Sequence, residues 1–171
     1  MGTTIWLTGL SGAGKTTIAK EMKKSGAYNF IIIDGDDLRA GINKNLGFSN
    51  EDRNENVFRA AHICKILNDN GLNVIACIMS PTEEQRTIAK NVIGEDKFFL
   101  TYVQCNIETL VRRDTKGLYK KFANGEIKNM VGCDLPYEEP HNENLCIDTR
   151  TTMVEACSLK VIEKWLEFRF K

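Results

Sequence analysis

The stretch GLSGAGKTT, near the start of the chain, combines glycines with a lysine and two threonines. It fits the pattern G-x-x-x-x-G-K-[ST] between a strand-like apolar run and a helix-like segment, the context in which this pattern is specific. Glycines let such a loop curl so that backbone N–H groups point at phosphate oxygens, and the helix N-terminus adds partial positive charge. The pattern predicts binding of the phosphates of ATP by Gly9, Leu10, Ser11, Gly12, Ala13, Gly14, Lys15, Thr16 and Thr17.

Four side chains near these phosphates have the chemistry of phosphoryl transfer. Lys15 is expected to reach the β- and γ-phosphates, and the Thr16 hydroxyl is expected to bind Mg²⁺. Asp34 and Asp36 flank a glycine after the second apolar run, where one carboxylate can orient Mg²⁺ and the other can accept a hydroxyl proton. We therefore interpret Lys15, Asp34 and Asp36 as catalytic, with Thr16 and Asp34 at the metal. An ordinary Asp-Gly-Asp turn is the alternative.

A group of residues with the chemistry of a nucleotide acceptor site follows this carboxylate pair, namely Arg39, Phe48, Arg53 and Asn56. Arginine binds phosphate or sulfate, and the faces of Arg and Phe stack on bases. The alternative interpretation makes Phe48 a core residue and the arginines partners in surface salt bridges.

The third apolar run ends in CIMSP, which brings Met79 and Ser80 beside the same cleft. Ser80 with Pro81 could equally begin the next helix as its N-cap. A serine nucleophile is disfavoured, because neither His62 nor His141 has a sequence setting that suggests a paired base.

The order of the elements predicts how these residues come together. Five apolar runs have the length and β-rich character of buried parallel strands: Thr4–Thr8, Phe30–Ile33, Asn73–Ile78, Phe98–Gln104 and Leu145–Ile147. Helical patterns alternate with them at Lys15–Lys24, Glu51–Asn70, Thr82–Ile93 and Thr152–Phe168. This predicts an α/β fold of the P-loop NTPase and kinase type, with helices on both faces of a five-stranded parallel sheet. The polar segment 112–140 is predicted to be a mobile lid over the phosphates, with a solvated surface loop as the alternative.

Composition excludes several classes of partner. The chain of 171 residues is expected to form one domain over 1–171, and its 23 Lys and Arg balance its 23 Asp and Glu. No overall field therefore favours nucleic acid or a membrane surface. No apolar stretch approaches a membrane span, and the apolar N-terminus runs into the phosphate loop instead of forming a signal peptide. The six cysteines lack metal-ligand spacing and are interpreted as reduced thiols of a cytoplasmic protein.

The motifs resemble those of the adenylyl-sulfate kinases over nearly the whole chain. The similarity includes GLSGAGKTT, DGDDLRAGINKNLGFSNEDRNEN, MSP, RRDTKGLYKKFANGEIKN, PYEEP and IDT, in that order. The resemblance implies transfer of the γ-phosphoryl of MgATP to the ribose 3′-hydroxyl of adenylyl sulfate by an enzyme that is usually a dimer. It implies that Asp36 lies at that hydroxyl and that the acceptor is lined by Arg39, Phe48, Arg53, Asn56, Met79, Ser80, Lys116, Gly117, Leu118, Met130 and Val131, with Lys116–Leu118 in the lid.

One departure from the family bears on the acceptor. The family usually has FTG after the lid, with a phenylalanine that stacks on adenine, whereas this chain has Met130-Val131-Gly132. Related kinases phosphorylate the 3′-hydroxyl of cytidine diphosphoramidate, whose smaller base would suit a methionine, so both acceptors stay open. More remote alternatives are a P-loop kinase of a non-nucleotide metabolite and a non-catalytic ATP-binding module.

Overall fold

The computed structural model describes residues 2–170, and within that range it contains a sheet of five parallel strands. These are β1 (Thr4–Thr8), β2 (Phe30–Asp34), β3 (Asn73–Cys77), β4 (Phe98–Gln104) and β5 (Leu145–Asp148), in the spatial order β2-β3-β1-β4-β5. The helices are α1 (Lys15–Lys24), α2 (Gly35–Ala40), α3 (Asn50–Asp69), α4 (Glu83–Ile93), α5 (Ile107–Arg113), α6 (Leu118–Ala123) and α7 (Val154–Arg169). The predicted α/β fold with its parallel sheet is confirmed.

Three short helices were not predicted from the sequence. These are α2, α5 and α6, of which α6 lies inside the predicted lid segment 112–140. Side chains at the start of α2 and α5 accept hydrogen bonds from backbone N–H groups: Asp34 from Asp36 at 2.9 Å and Asn106 from Thr109 at 3.1 Å. Helices of six or seven residues carry too few apolar positions to produce a periodic pattern, so local caps are the main sequence signal of α2 and α5. The N-cap of α6 is Gly117, which has no capping side chain.

The central strand β1 explains why the candidate residues meet. All five of its residues are buried, and it pairs with β3 on one side and β4 on the other. Leu7 is in register with Cys77, and Cys77 is in register with Asp34 on β2. Since neighbouring strands are about 4.8 Å apart, the end of β1 and Asp34 are separated by about 10 Å at the same edge of the sheet.

The two faces of the sheet carry separate cores. Side chains alternate along β1, so Ile5 and Leu7 contribute to one core and Trp6 to the other. Helices α1 and α7 cover the first face, and α3 and α4 cover the second. None of the helices in residues 2–170 has the length and apolar character that crossing a membrane requires.

Trp165 on α7 anchors the first core. It is fully buried, and its ring centroid lies 5.2 Å from that of Tyr28 and 5.0 Å from that of Phe30. Its Nε1 donates a hydrogen bond of 2.8 Å to the Thr3 hydroxyl. The indole therefore ties the last helix to the start of the first strand.

We expect Trp165→Ala to lower the free energy of unfolding by about 3–5 kcal/mol, because the truncation leaves a cavity among aromatic rings and removes a buried hydrogen bond. Urea denaturation followed by far-UV circular dichroism measures this change. The control is Leu159→Ala on the same helix, where the side chain is 66% exposed and the expected change is under about 0.5 kcal/mol. Equal effects of the two substitutions would contradict the anchoring role.

Candidate active site

The loop between β1 and α1 has the backbone shape that its glycines predict. Gly9, Gly12 and Gly14 have φ angles of 141°, 79° and 108°. At Gly9 an added Cβ would lie 2.4 Å from the Val103 carbonyl oxygen, so no other residue fits there without moving β4. The loop then enters α1 at Lys15, which aims the helix N-terminus at the loop's concave side.

Lys15 is held across this loop. Its Nζ donates hydrogen bonds to the carbonyl oxygens of Gly9 at 2.6 Å and Leu10 at 2.9 Å. Burial lowers the pKa of Lys15 to about 8, and the Lys116 ammonium also lowers it, whereas Asp34 and Asp36 raise it. The lysine is therefore a desolvated cation whose charge an incoming phosphate would stabilise.

Thr16 and Asp34 provide adjacent oxygen atoms. The Thr16 hydroxyl donates a hydrogen bond of 2.6 Å to Asp34 Oδ2, while Asp34 Oδ1 accepts from the backbone N–H of Asp36. Hydroxyl and carboxylate oxygens are the hard ligands that Mg²⁺ prefers. Within residues 2–170 no cluster of three His, Cys, Asp or Glu side chains could hold a metal. A cation at Thr16 and Asp34 would therefore depend on phosphate oxygens for the rest of its coordination.

Asp36 meets the lid. It lies in α2 with an exposed side chain, and the Lys116 ammonium donates a hydrogen bond to its carboxylate. Lys116 comes from the turn between α5 and α6. The contact therefore joins the predicted catalytic carboxylate to the predicted lid.

Phe48 and two arginines form a surface next to Asp36. Phe48 is 60% exposed, and the guanidinium carbons of Arg39 and Arg53 lie 4.5 and 5.5 Å from its ring centroid. Arg39 donates to the Gly47 carbonyl at 2.8 Å, and Arg53 donates to the Asn129 carbonyl at 3.1 Å. Burial lowers the pKa of both guanidiniums, yet arginine keeps its charge in proteins. This exposed aromatic does not match the alternative of a core phenylalanine.

Asn56 and Ser80 are buried in hydrogen-bond networks. Asn56 Oδ1 accepts from Asn43 Nδ2 at 3.0 Å. Ser80 Oγ accepts from Trp6 Nε1 at 3.0 Å and donates to Thr8 Oγ1 at 3.1 Å. Ser80 is not the N-cap of the next helix, because the Thr82 side chain caps α4. A hydroxyl bonded in this way fixes the strand ends and is poorly placed to act as a nucleophile.

One cavity of about 530 Å³ connects these groups. The predicted residues on its wall are Ser11, Gly12, Gly14, Lys15, Thr16, Thr17, Asp34, Asp36, Arg39, Phe48, Arg53, Asn56, Met79, Ser80, Lys116, Leu118, Met130 and Val131. The predicted residues that do not line it are Gly9, Leu10, Ala13 and Gly117. Gly9 and Leu10 instead hold Lys15 through their carbonyls, Ala13 is buried in the core, and Gly117 begins α6 with a φ of 67°.

Met130 belongs to both the core and the cavity. It is 8% exposed and packs in the core on the α1 and α7 face, and it also lines the cavity. The Asp134 carboxylate accepts from the backbone N–H groups of Asn129 at 2.8 Å and Met130 at 2.6 Å. These bonds fix the part of the predicted lid segment that follows α6 against the site.

Sequence reasoning missed three residues that support the phosphate loop. The Tyr119 hydroxyl in the lid donates to the Ser11 carbonyl at 2.9 Å. The Thr149 hydroxyl donates to the Ala13 carbonyl at 2.9 Å, and Arg113 donates to the Thr149 carbonyl at 2.5 Å. The three residues lie within the RRDTKGLYKKFANGEIKN and IDT motifs, but the motifs do not indicate which backbone carbonyls these side chains contact.

A glycine-rich phosphate loop, a Thr-Asp oxygen pair and one cavity at the edge of a parallel sheet are the features of a P-loop kinase that acts on a small molecule. The family model described as adenylylsulphate kinase matches residues 1–148. The chain is 44% identical over 163 residues to the adenylyl-sulfate kinase of Bacillus licheniformis, covering 93% of this chain and 82% of that protein. It is 48% identical over 155 residues to a probable adenylyl-sulfate kinase of Halalkalibacterium halodurans, covering 88% and 74%.

A solved structure agrees with these sequence comparisons. The Mycobacterium tuberculosis APS kinase CysC, in complex with AMPPNP and APS, superposes with a TM-score of 0.91 at 36% identity, covering 96% of this chain and 98% of that one. The chain belongs to the adenylylsulphate kinase family. The predicted resemblance is thereby confirmed.

The pKa of Lys15 leads to a prediction for ATP binding. Because burial lowers that pKa to about 8, the ammonium form is lost as the pH rises through 8, well below the pH at which a free lysine deprotonates. We expect the Kd for ATP to rise above pH 8 by up to about tenfold per pH unit, as measured by calorimetric titration. Lys15→Arg keeps its charge and should show no such rise. A flat profile for the unmodified protein to pH 10 would contradict the assignment.

Proposed function

We propose that the protein transfers the γ-phosphoryl of MgATP to the ribose 3′-hydroxyl of adenylyl sulfate. One observation carries the proposal: a single cavity is lined by residues of the phosphate loop, by Asp36, and by Phe48 with its two arginines. ATP phosphates and an acceptor nucleotide can therefore lie in one continuous space. The kinship with proteins named adenylyl-sulfate kinase supports the choice of acceptor.

The part of the cavity that the phosphate loop lines can bind the ATP phosphates and stabilise the charge of the transferred phosphoryl group. Backbone N–H groups of the loop and the N-terminus of α1 bind the phosphates, and Lys15 offsets the charge that develops on the transferred group. Thr16 and Asp34 would hold Mg²⁺ together with the ATP phosphates. When bound, Mg²⁺ neutralises phosphate charge and orients the oxygens for in-line displacement.

Asp36 supplies the base in this proposal. Its exposed carboxylate lies at the cavity and can accept the proton that the 3′-hydroxyl loses as its oxygen attacks phosphorus. Lys116, which donates to that carboxylate, can also approach the transferred phosphoryl from the lid. The attack is direct, because the Ser80 hydroxyl is already engaged by Trp6 and Thr8.

The part of the cavity that Phe48, Arg39 and Arg53 line suits an anionic nucleotide. Arg39 and Arg53 carry two charges beside the exposed ring of Phe48, so the sulfate or phosphate can be bound by guanidinium donors while the base stacks on the ring. Met130 on the same wall offers a thioether where the family usually has an aromatic ring. That residue favours cytidine diphosphoramidate as the second candidate acceptor.

We further propose that the enzyme works in the cytoplasm as a homodimer. The family resemblance supports the dimer. The cytoplasm is supported by the cysteines, since Cys64, Cys77, Cys105, Cys133, Cys146 and Cys157 are all free thiols, the form that a reducing compartment maintains.

We expect Asp36→Asn to lower kcat by at least roughly 100-fold, because an amide cannot accept the hydroxyl proton. The Kd for ATP should stay within about threefold, since Asp36 does not belong to the phosphate loop. Formation of the 3′-phosphorylated product from adenylyl sulfate measures the first quantity and calorimetry the second. The matched control is Asp37→Asn, an exposed carboxylate of the same helix, which should leave kcat unchanged. Full activity of Asp36→Asn would assign the proton to another group.

Met130→Phe tests the choice of acceptor. A ring at this position should recover stacking worth about 1–1.5 kcal/mol, which corresponds to about a tenfold gain in the kcat/KM ratio of adenylyl sulfate to cytidine diphosphoramidate. The KM for ATP should not change. If the unmodified enzyme already prefers adenylyl sulfate by several orders of magnitude, the cytidine alternative is wrong and the methionine is only a packing residue.

A further inference from the structure

Gln85 is a buried amide on the wall of the nucleotide cavity. It lies in the first turn of α4 and is fully buried, and it lines the cavity together with Asn56 and Ser80. Its Nε2 donates a hydrogen bond of 3.0 Å to Asn54 Oδ1 on α3. Among the residues that the structure describes, its Oε1 has no hydrogen-bond partner.

An unpartnered buried oxygen needs an explanation, because leaving a polar atom desolvated and unbonded is costly. In residues 2–170 the Thr101 hydroxyl is the other such buried side-chain atom, and Thr101 does not line the cavity. Both side chains therefore have an unpartnered oxygen, but Gln85 alone of the two lines the cavity, where a ligand can supply a donor.

The neighbours of Gln85 hold its side chain in one orientation. The Thr82 hydroxyl accepts from the Gln85 backbone N–H at 3.3 Å. The next residue, Arg86, is buried and donates to the Ser80 carbonyl at 3.0 Å and to Glu83. With the backbone fixed and Nε2 bonded to Asn54, the amide oxygen is the atom left for a ligand.

We propose that Gln85 is a specificity-determining residue whose Oε1 accepts a hydrogen bond from the exocyclic amine of the acceptor base. The inference rests on the proposed function and deepens it. Gln85 shares the cavity wall with Phe48 and Met130, the two residues expected to contact the base. Both candidate acceptors carry the required group, on C6 of adenine or C4 of cytosine.

The contact would select amino bases over oxo bases. In hypoxanthine or uracil a carbonyl oxygen replaces the amine, so two acceptor atoms would face each other and neither would be bonded. Sites built to hydrogen-bond one group reject an analogue that lacks it, because their own buried atom stays unpaired. Stacking on Phe48 cannot make this distinction, since adenine and hypoxanthine offer rings of the same size.

The experiment compares adenylyl sulfate with inosine 5′-phosphosulfate, in which oxygen replaces the 6-amine. We expect the unmodified enzyme to favour adenylyl sulfate in kcat/KM by at least about tenfold. In Gln85→Met, which keeps the length but lacks the oxygen, the preference should fall to about threefold or less. Gln85→Glu retains an acceptor oxygen and should keep the preference for the amine, which a purely structural role would not require.

Several outcomes would overturn the proposal. An unchanged preference in Gln85→Met means that the side chain does not read the base and that its oxygen is satisfied by water. A preference lost in Gln85→Glu means that an acceptor oxygen at this position does not select the amine, which contradicts the proposal. Thr101→Val, which removes the other unpartnered atom, should leave the preference unchanged, and thermal denaturation of each variant separates misfolding from altered selectivity. If the unmodified enzyme turns over no adenylyl sulfate, the proposed acceptor fails first; the same comparison between cytidine and uridine diphosphoramidates then tests Gln85.

Discussion

The hydrogen bond between the Thr16 hydroxyl and the Asp34 carboxylate joins the two halves of the site. Thr16 belongs to the helix that follows the central strand, and Asp34 ends a strand two positions away in the sheet. The parallel sheet, with β3 between β1 and β2, brings both residues to one edge. The same Asp34 carboxylate begins α2 by accepting from the Asp36 N–H, so one side chain fixes the loop, the oxygen pair and the position of the proposed base.

The predicted lid segment is attached to this arrangement by polar contacts and also by apolar packing, since Tyr119 is buried in the core and Leu118 and Phe122 pack against it. Lys116 reaches Asp36, Tyr119 reaches the phosphate loop, and Arg53 of α3 reaches Asn129. Exposed ion pairs contribute little to stability, and a neutral hydrogen bond contributes about 1 kcal/mol. The apolar contacts are the firmer attachment of this segment, and they include Met130, which packs into the same core.

Much of the fold could be predicted because the information is local. Continuous apolar runs such as Phe98–Gln104 occur where a strand is buried on both faces, and the phosphate loop is specified by its own residues. The missed helices α2 and α6 are too short for periodicity.

Several predicted site residues do line the cavity, but the opposite roles of Phe48, which is exposed, and Asn56, which is buried, could not be separated by residue type. Gln85, Tyr119 and Thr149 act through tertiary contacts with residues distant in the chain, and the sequence does not indicate those partners.

In the proposed acceptor site two physical effects would divide the recognition of the base, because they respond to different features of it. Stacking depends on ring area, so the exposed ring of Phe48 and the thioether of Met130 distinguish a purine from a pyrimidine weakly. A fixed buried acceptor such as Gln85 Oε1 depends on a single functional group and is insensitive to ring size. A site with a weakened stacking partner and a retained polar contact would tolerate a change of ring while demanding an amine. Adenine carries this amine at C6 and cytosine at C4, whereas guanine has an oxygen at C6 and its amine at C2, and adenine and cytosine are the bases of the two candidate acceptors.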